Sequence, residues 1–136
     1  MNFLKAYIGV LIVFVIFDAV WLGLIAADFY AETIGHLMAE TVNWGAAVVF
    51  YAMYIGGIAH FVSIPAGAAS DLRQAVVNGA LLGAIAYGTY DLTNYATLRD
   101  WPLKVVVADM LWGGFITASA AIGGYLAVKK SSSQAA

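Results

Sequence analysis

Four long apolar segments, separated by shorter polar stretches, dominate the hydrophobic pattern of this chain. They cover residues 3–27, 42–64, 74–97 and 102–128. A helix that crosses the hydrocarbon core of a bilayer needs about 20 mostly apolar residues, and each segment is that long. The pattern therefore predicts an all-α integral membrane protein, a four-helix bundle that occupies residues 1–130 as a single domain.

Polar and helix-breaking residues mark the predicted helix ends. Pro65 is expected to end the second helix, because proline lacks a backbone N–H and restricts the residue before it. Ser70 or Asp71 is expected to cap the third helix. Pro102 suits the first turn of the fourth helix, where a missing N–H costs nothing. The polar tail, residues 131–136, is predicted to be disordered in the cytoplasm.

The connections between the segments differ in length and character. The first connection is long and acidic, and its apolar side chains suggest a short helix lying at the membrane interface. The other two connections are short. Since short connections make neighbouring helices antiparallel, we predict an up-down-up-down bundle. The apolar side chains of the first connection are Phe29, Tyr30, Ile34 and Leu37.

Basic residues predict the orientation of the bundle. Lys and Arg are enriched on the cytoplasmic side of membrane proteins. An arrangement with a cytoplasmic N-terminus puts more of them inside than outside, so both termini are predicted to be cytoplasmic. Trp44 and Trp101, near the outer helix ends, are predicted to be interfacial anchors. The inner group is Lys5, Arg73, Lys129 and Lys130, and the outer group is Arg99 and Lys104.

Composition supports a lipid environment and excludes several kinds of function. Hydrophobic residues make up 63% of the chain and charged residues 10%, against roughly half and a quarter in soluble domains. The net charge is −2, and no basic run extends beyond Lys129-Lys130, so no nucleic-acid partner is expected. Cysteine is absent, which excludes thiol chemistry and iron–sulfur clusters. No His/Glu spacing within a helix suits a metal, and no cofactor is expected.

Three carboxylic acids lie inside the predicted spans. Asp18, Asp91 and Asp109 belong to three different helices. A charged residue at the bilayer centre costs roughly 2.5–3.5 kcal/mol on insertion scales, so each acid requires a reason. Counting about 1.5 Å per residue along each helix places all three in the outer half at similar depth. We therefore assign them to one polar site, and we expect Asp18 and Asp109 to lie within reach of a Tyr hydroxyl group or a shared water. At least one of the three acids, Asp91 before the others, is predicted to be protonated in the empty protein because burial disfavours the charged form.

Aromatic residues accompany these acids at helical spacing. An Asp-x-x-Trp-x-Gly pattern occurs twice, beginning at Asp18 and at Asp109, and a Tyr-x-x-Tyr pattern occurs in each of the two middle segments. The matches leave open an inverted internal repeat of the transporter kind. The predicted ligand-binding residues are Asp18, Trp21, Tyr51, Tyr54, Tyr87, Tyr90, Asp91, Asn94, Asp109 and Trp112.

Three runs in the sequence resemble a known family. They begin at Phe17 with Phe-Asp-Ala-Val-Trp-Leu-Gly, at Ala86 with Ala-Tyr-Gly-Thr-Tyr-Asp-Leu-Thr-Asn-Tyr-Ala-Thr, and at Asp109 with Asp-Met-Leu-Trp-Gly. The likeness is to an uncharacterised bacterial family of small four-helix membrane proteins, a domain of unknown function, and extends over about residues 3–128. It implies a multi-pass protein of the bacterial inner membrane and supplies no activity.

The intramembrane residues support one leading function and leave others open. The acids would supply charge or accept protons, the Trp and Tyr rings would hold a cation or an amphipathic molecule, and Asn94 would orient a carboxylate. The protein would then bind or transport a small solute or lipid. The alternatives are interhelical hydrogen bonding alone, as in a structural accessory subunit, and a lipid-modifying enzyme, although no nucleophile–base pair is visible and no catalytic residue is assigned. The oligomeric state stays open.

Overall fold

A computed structural model describes residues 1–129, and the expected disordered tail, residues 131–136, lies outside the described residues. Within residues 1–129 the chain is all-helical, in agreement with the predicted class, and contains no strand. Two of the long helical stretches include a π turn. The elements are α1 (Asn2–Val20) with a π turn (Trp21–Ile25), α2 (Ala27–Ile34) with a 3₁₀ turn (Gly35–Leu37), α3 (Trp44–Ile58) with a π turn (Ala59–Ser63) leading into α4 (Ile64–Ala69), α5 (Leu72–Thr97) and α6 (Leu103–Val128).

Three helical stretches in the described chain are long and apolar enough to cross a membrane. They are Asn2–Ile25, Trp44–Ala69 and Leu103–Val128. The fourth expected span, α5, has 26 residues, the same length as α6. It is less apolar because it carries three glycines and polar side chains such as Gln74, Asn78 and Asp91.

The second long helix does not end at Pro65, as the sequence suggested, but continues to Ala69. The π turn Ala59–Ser63 directly precedes the proline and widens the helix, with the Ile64 N–H donating to the carbonyl of Ala59. Such a turn changes the local hydrogen-bond pattern where proline would otherwise remove a bond and clash with the preceding turn. The helix ends instead at Ser70, which has a left-handed backbone with φ of 53°. Asp71 then caps α5 by accepting a hydrogen bond from the Gln74 N–H at 3.1 Å.

The first connection does form a short helix, α2, but three of its four expected apolar side chains face protein, and the fourth, Leu37 in the following 3₁₀ turn, is 47% exposed. Phe29, Tyr30 and Ile34 pack against a buried cluster at the start of α6 that includes Trp101. Trp101 is therefore a buried residue and not an interfacial anchor, because α2 covers it. Trp44 is 72% exposed, as an anchor requires.

Helix α6 is the centre of the packing and contacts α1 and α5 along much of its length. Small residues allow these close approaches: a Cβ atom added to Gly83 would overlap the backbone of Gly113, and one added to Gly9 would overlap that of Gly123. Close helix contact through glycine is typical of membrane proteins. Both pairs of helices run antiparallel, since residues early in α1 and α5 meet residues late in α6.

Large apolar side chains lie on the outside of the bundle as well as in its core. Phe14, Ile58 and Ile116 are fully buried, whereas Leu24 and Leu111 are 81% and 72% exposed. Soluble monomers rarely expose large continuous apolar patches. The outer surface is therefore suited to lipid.

Candidate functional site

One cavity of about 490 Å³ brings together most of the residues that the sequence singled out. It lies among α1, α3, α5 and α6 and is covered by α2. Seven of the ten predicted ligand-binding residues line it, and four further residues complete the wall. The seven are Asp18, Trp21, Tyr51, Tyr87, Tyr90, Asp109 and Trp112, and the four are Leu22, Tyr30, Ile34 and Met38.

Asp18 forms the wall contributed by α1. Its side chain is 8% exposed, and its Oδ2 accepts a hydrogen bond from the hydroxyl group of Tyr51 on α3. Phe14 contacts the Tyr51 ring edge-on at 5.8 Å and so fixes its position. The indole N–H of Trp112 faces the same carboxyl group but makes no hydrogen bond. The other carboxyl oxygen of Asp18, Oδ1, therefore accepts no hydrogen bond from the described residues.

Asp109 forms the opposite wall and is held through α2. The Tyr30 hydroxyl group donates to Asp109 Oδ1 and accepts a hydrogen bond from Trp21 Nε1 at 3.1 Å. Burial, followed by the hydrogen bond to Asp109, raises the pKa of Tyr30 above its ordinary value of 10.0. The phenol therefore keeps its proton and acts as the donor, which joins α1, α2 and α6 in one short chain of hydrogen bonds.

The two Asp-x-x-Trp-x-Gly motifs meet at equivalent residues. Trp21 and Trp112 stack face to face, with ring centroids 4.4 Å apart and an angle of 7° between their planes. One turn away, Phe17 contacts Phe115 at 5.7 Å. Because α1 and α6 are antiparallel, the motifs approach each other head to tail about the tryptophan pair. This arrangement is compatible with an inverted repeat, which nonetheless stays a prediction.

Asp91 lies behind this cavity and does not line it. It is completely buried, and its Oδ1 accepts a hydrogen bond from Trp101 Nε1 at 3.3 Å. Its Oδ2 is buried without any hydrogen-bond partner among the described residues. The carboxyl group of Asp109 is close enough to interact with it. An unpartnered buried carboxyl oxygen is costly, so this pair is the least satisfied part of the site.

The remaining two predicted residues lie at the margin of the site. Tyr54 hydrogen-bonds with the hydroxyl group of Thr117 at 2.8 Å, and its ring contacts that of Tyr87 at 6.4 Å. It therefore supports the wall from behind. Asn94 is half-buried and has no side-chain hydrogen bond within residues 1–129, so its proposed role in orienting a carboxylate stays a prediction.

Sequence reasoning missed the residues that close the cavity. Tyr30 lies 79 positions from its partner Asp109, and the connection that carries it suggested a helix facing lipid. Ile34 and Met38 from the same connection line the cavity. The one available signal was the pairing of a tyrosine with apolar neighbours on a short helix. That pattern suits a membrane interface and a protein surface equally well.

A second, smaller cavity adjoins the first. It has a volume of about 350 Å³ and shares Tyr87, Tyr90 and Asp109 with the first cavity, while Phe50 and Ala86 complete its wall. Asp109 thus faces both spaces. Within the described chain no three His, Asp or Glu side chains lie close enough together to hold a metal ion.

Comparison with known proteins gives a family. Neither a curated protein nor a solved structure shows significant similarity to the chain. A family described as predicted membrane protein (DUF2177) matches residues 3–126. This match confirms the resemblance drawn from the motif residues, several of which meet in the cavity. The chain belongs to this family of predicted membrane proteins.

Proposed function

We propose that this protein binds a small solute or lipid in the cavity between Asp18 and Asp109, as a binding protein or transporter of the bacterial inner membrane. The cavity would lie in the outer half of the bilayer, with both termini in the cytoplasm. The observation that supports the proposal best is the convergence of Asp18, Asp109, Trp21 and Trp112 on one open space.

The size and lining of the cavity favour a ligand over simple helix pairing. Ligand sites are clefts or cavities with volumes of roughly 300–1,000 Å³ and a few polar groups among apolar walls, and this partly open cavity fits that description. Carboxyl groups that served only to join helices would have no need of such a space. Asp18 and Asp109 instead face it, and a tyrosine hydroxyl group satisfies one oxygen of each.

The proposal includes α5 as the fourth membrane span. Its length of 26 residues is sufficient, and it packs antiparallel along α6, which is apolar enough to cross. Part of its low apolar character comes from buried positions, such as Asp91 and the glycines that contact α6. Such residues face the bundle interior and not lipid. With α5 as a span, the helices form an up-down-up-down bundle.

Native mass spectrometry of the protein purified from membranes tests this proposal. We expect a small molecule or lipid to remain bound to the wild type and to be lost from the double variant Asp18→Asn/Asp109→Asn. Asp100→Asn is the matched control, since it removes the same charge from an exposed residue outside the cavity. Equal retention by all three proteins would contradict the proposal, and so would a bare protein in every sample.

A further inference from the structure

The cavity has the charge and the shape for one class of ligand. We infer that it takes a protonated amine carrying a short apolar chain, with the ammonium group between Asp18 and Asp109 and the chain in the adjoining cavity beside Phe50 and Ala86. This inference rests on the proposed function and specifies its ligand.

The charge of the lining is uniformly negative. Among residues 1–129, Asp18 and Asp109 are the charged residues that line the cavity, and no Lys, Arg or His of this part of the chain lines it. The basic residue at the start of α6, Lys104, has its Nζ over the ring of Phe29, 5.9 Å from the ring centroid. An anionic ligand would face two carboxyl groups without a basic partner, whereas a cation would neutralise charge that is costly to bury.

The free oxygens favour an ammonium group that can donate hydrogen bonds. Tyr51 occupies Oδ2 of Asp18, and Tyr30 occupies Oδ1 of Asp109. No hydrogen bond from the described residues reaches the second oxygen of either carboxyl group, although the Trp112 indole N–H faces Asp18 and the Asp91 carboxyl group neighbours Asp109. Each second oxygen can therefore accept a hydrogen bond from a ligand. A protonated amine offers N–H donors to such acceptors, and a charge-assisted hydrogen bond is about twice as strong as a neutral one. A quaternary ammonium ion has no N–H to donate.

Aromatic faces complete the match. The stacked pair Trp21 and Trp112 and the rings of Tyr51, Tyr87 and Tyr90 line the same space. An aromatic face attracts a cation within about 6 Å of its centroid, and tryptophan does so most strongly. These rings contribute to binding without adding charge.

The fully buried Asp91 provides independent support. Its Oδ2 has no hydrogen-bond partner among the described residues, and its carboxyl group interacts with that of Asp109, so a second acid lies directly behind the Asp109 wall of the cavity. The titratable groups that face the Asp91 and Asp109 pair in the described chain are the hydroxyl groups of Tyr30 on α2 and Tyr90 on α5. Neither of these groups is basic. A bound cation beside Asp109 would offset this excess of acceptors.

The second cavity is the reason for proposing an apolar chain on the ligand. Its walls include the Phe50 and Tyr87 rings and the small side chain of Ala86, and it shares Asp109 with the first cavity. An amine held at Asp109 would place a short hydrocarbon chain against these walls. The ligand would thus be amphipathic, with its charge and its apolar part in separate spaces.

Calorimetric titration of the protein in lipid nanodiscs tests the inference with matched six-carbon probes. The probes are hexylamine, hexyltrimethylammonium, 1-hexanol and hexanoate, at a pH that keeps the amine protonated. We expect hexylamine to bind at least about tenfold more tightly than the other three. Asp18→Asn and Asp109→Asn should each weaken hexylamine binding about tenfold or more, and Asp100→Asn should leave it unchanged.

A second variant tests the position of the chain without touching any acid. Ala86→Leu should fill the second cavity, so hexylamine should lose affinity while propylamine keeps it. A melting curve for each variant identifies any that fails to fold, and Ala86→Leu retains every cavity hydrogen bond.

The outcomes separate this inference from the proposed function. Equal binding of 1-hexanol or hexanoate, with the native ligand still lost from the Asp double variant, would overturn the amine class and keep the site. Absence of binding by hexylamine would also overturn the inference. Hexylamine binding that no cavity variant changes, together with no native ligand, would overturn both.

Discussion

At the scale of single residues, Tyr30 has the most connected position in the site. Its hydroxyl group accepts from Trp21 and donates to Asp109. Tyr30→Phe would leave both groups without a partner, so we expect it to lower the free energy of unfolding by about 1–3 kcal/mol. Tyr95→Phe is the control, because Tyr95 is exposed and makes no side-chain hydrogen bond in the described chain. Denaturation in detergent, followed by circular dichroism, measures the difference.

An equal, small effect of both substitutions would contradict this view of Tyr30. It would mean that α2 is held by apolar packing against Trp101 alone, and that the hydroxyl group is replaceable by water.

The protonation of Asp91 and Asp109 is a second property of single residues. Two carboxyl groups interact in the bundle with no basic side chain facing them, so we expect the pair to hold one proton in the empty protein at neutral pH. Infrared spectroscopy should show the carbonyl stretch of a protonated carboxyl group, and Asp91→Asn should remove or shift it. Absence of this band, with no cation bound, would show a hydrated and fully ionised site.

The residues that the sequence identified and those that it missed differ in a physical way. Asp18 and Asp109 are costly inside a membrane, so their presence alone required an explanation, and the tryptophans follow them at helical spacing. Tyr30, Ile34 and Met38 are ordinary at a membrane surface, and only the folded chain brings them over Asp109. Trp101 was wrongly predicted to be an interfacial anchor for the same reason. The helix that covers it, α2, is far from it in the sequence, so the residues around Trp101 do not indicate that it is buried.

At the scale of elements, glycine contacts hold α5 against α6. Gly83→Ala would force a Cβ atom into the backbone of Gly113, whereas a Cβ atom at Gly57 would meet nothing within 4 Å. We expect Gly83→Ala to destabilise the protein by about 1–3 kcal/mol and Gly57→Ala to be neutral or slightly stabilising. Melting temperatures of the two variants measure this contrast. Equal melting would show that α5 does not pack closely on α6.

The sequence was sufficient to predict that the long helices are present, but it predicted the positions of their ends less well. The apolar segments correspond to the long helical stretches, because a run of about twenty apolar residues has the length of a helix that crosses a membrane. Pro65 was misread because a π turn precedes it, and the sequence has no clear signal for such a turn. The helix in the first connection was predicted, but its packing against the start of α6 was not, since an amphipathic helix can face either lipid or protein.

At the scale of the whole molecule, the number of spans decides where the termini lie. Four spans, with α5 crossing, put both termini on one side, and three spans would put them on opposite sides. The basic residues favour the cytoplasm for both. We therefore expect a C-terminal alkaline phosphatase fusion to be inactive and a C-terminal green fluorescent protein fusion to fluoresce. A fusion placed after Met38 should show the opposite pattern, and an active C-terminal phosphatase would contradict the four-span arrangement.

The central claim is that the cavity between Asp18 and Asp109 is a ligand site, and an experimental structure of the protein in lipid tests it most directly. We predict non-protein density between the stacked Trp21 and Trp112 rings and the Asp109 carboxyl group, continuing toward Phe50. The same density should be missing from the Asp18→Asn/Asp109→Asn variant. Side chains collapsed into the cavity, or ordered water alone in both proteins, would contradict the claim.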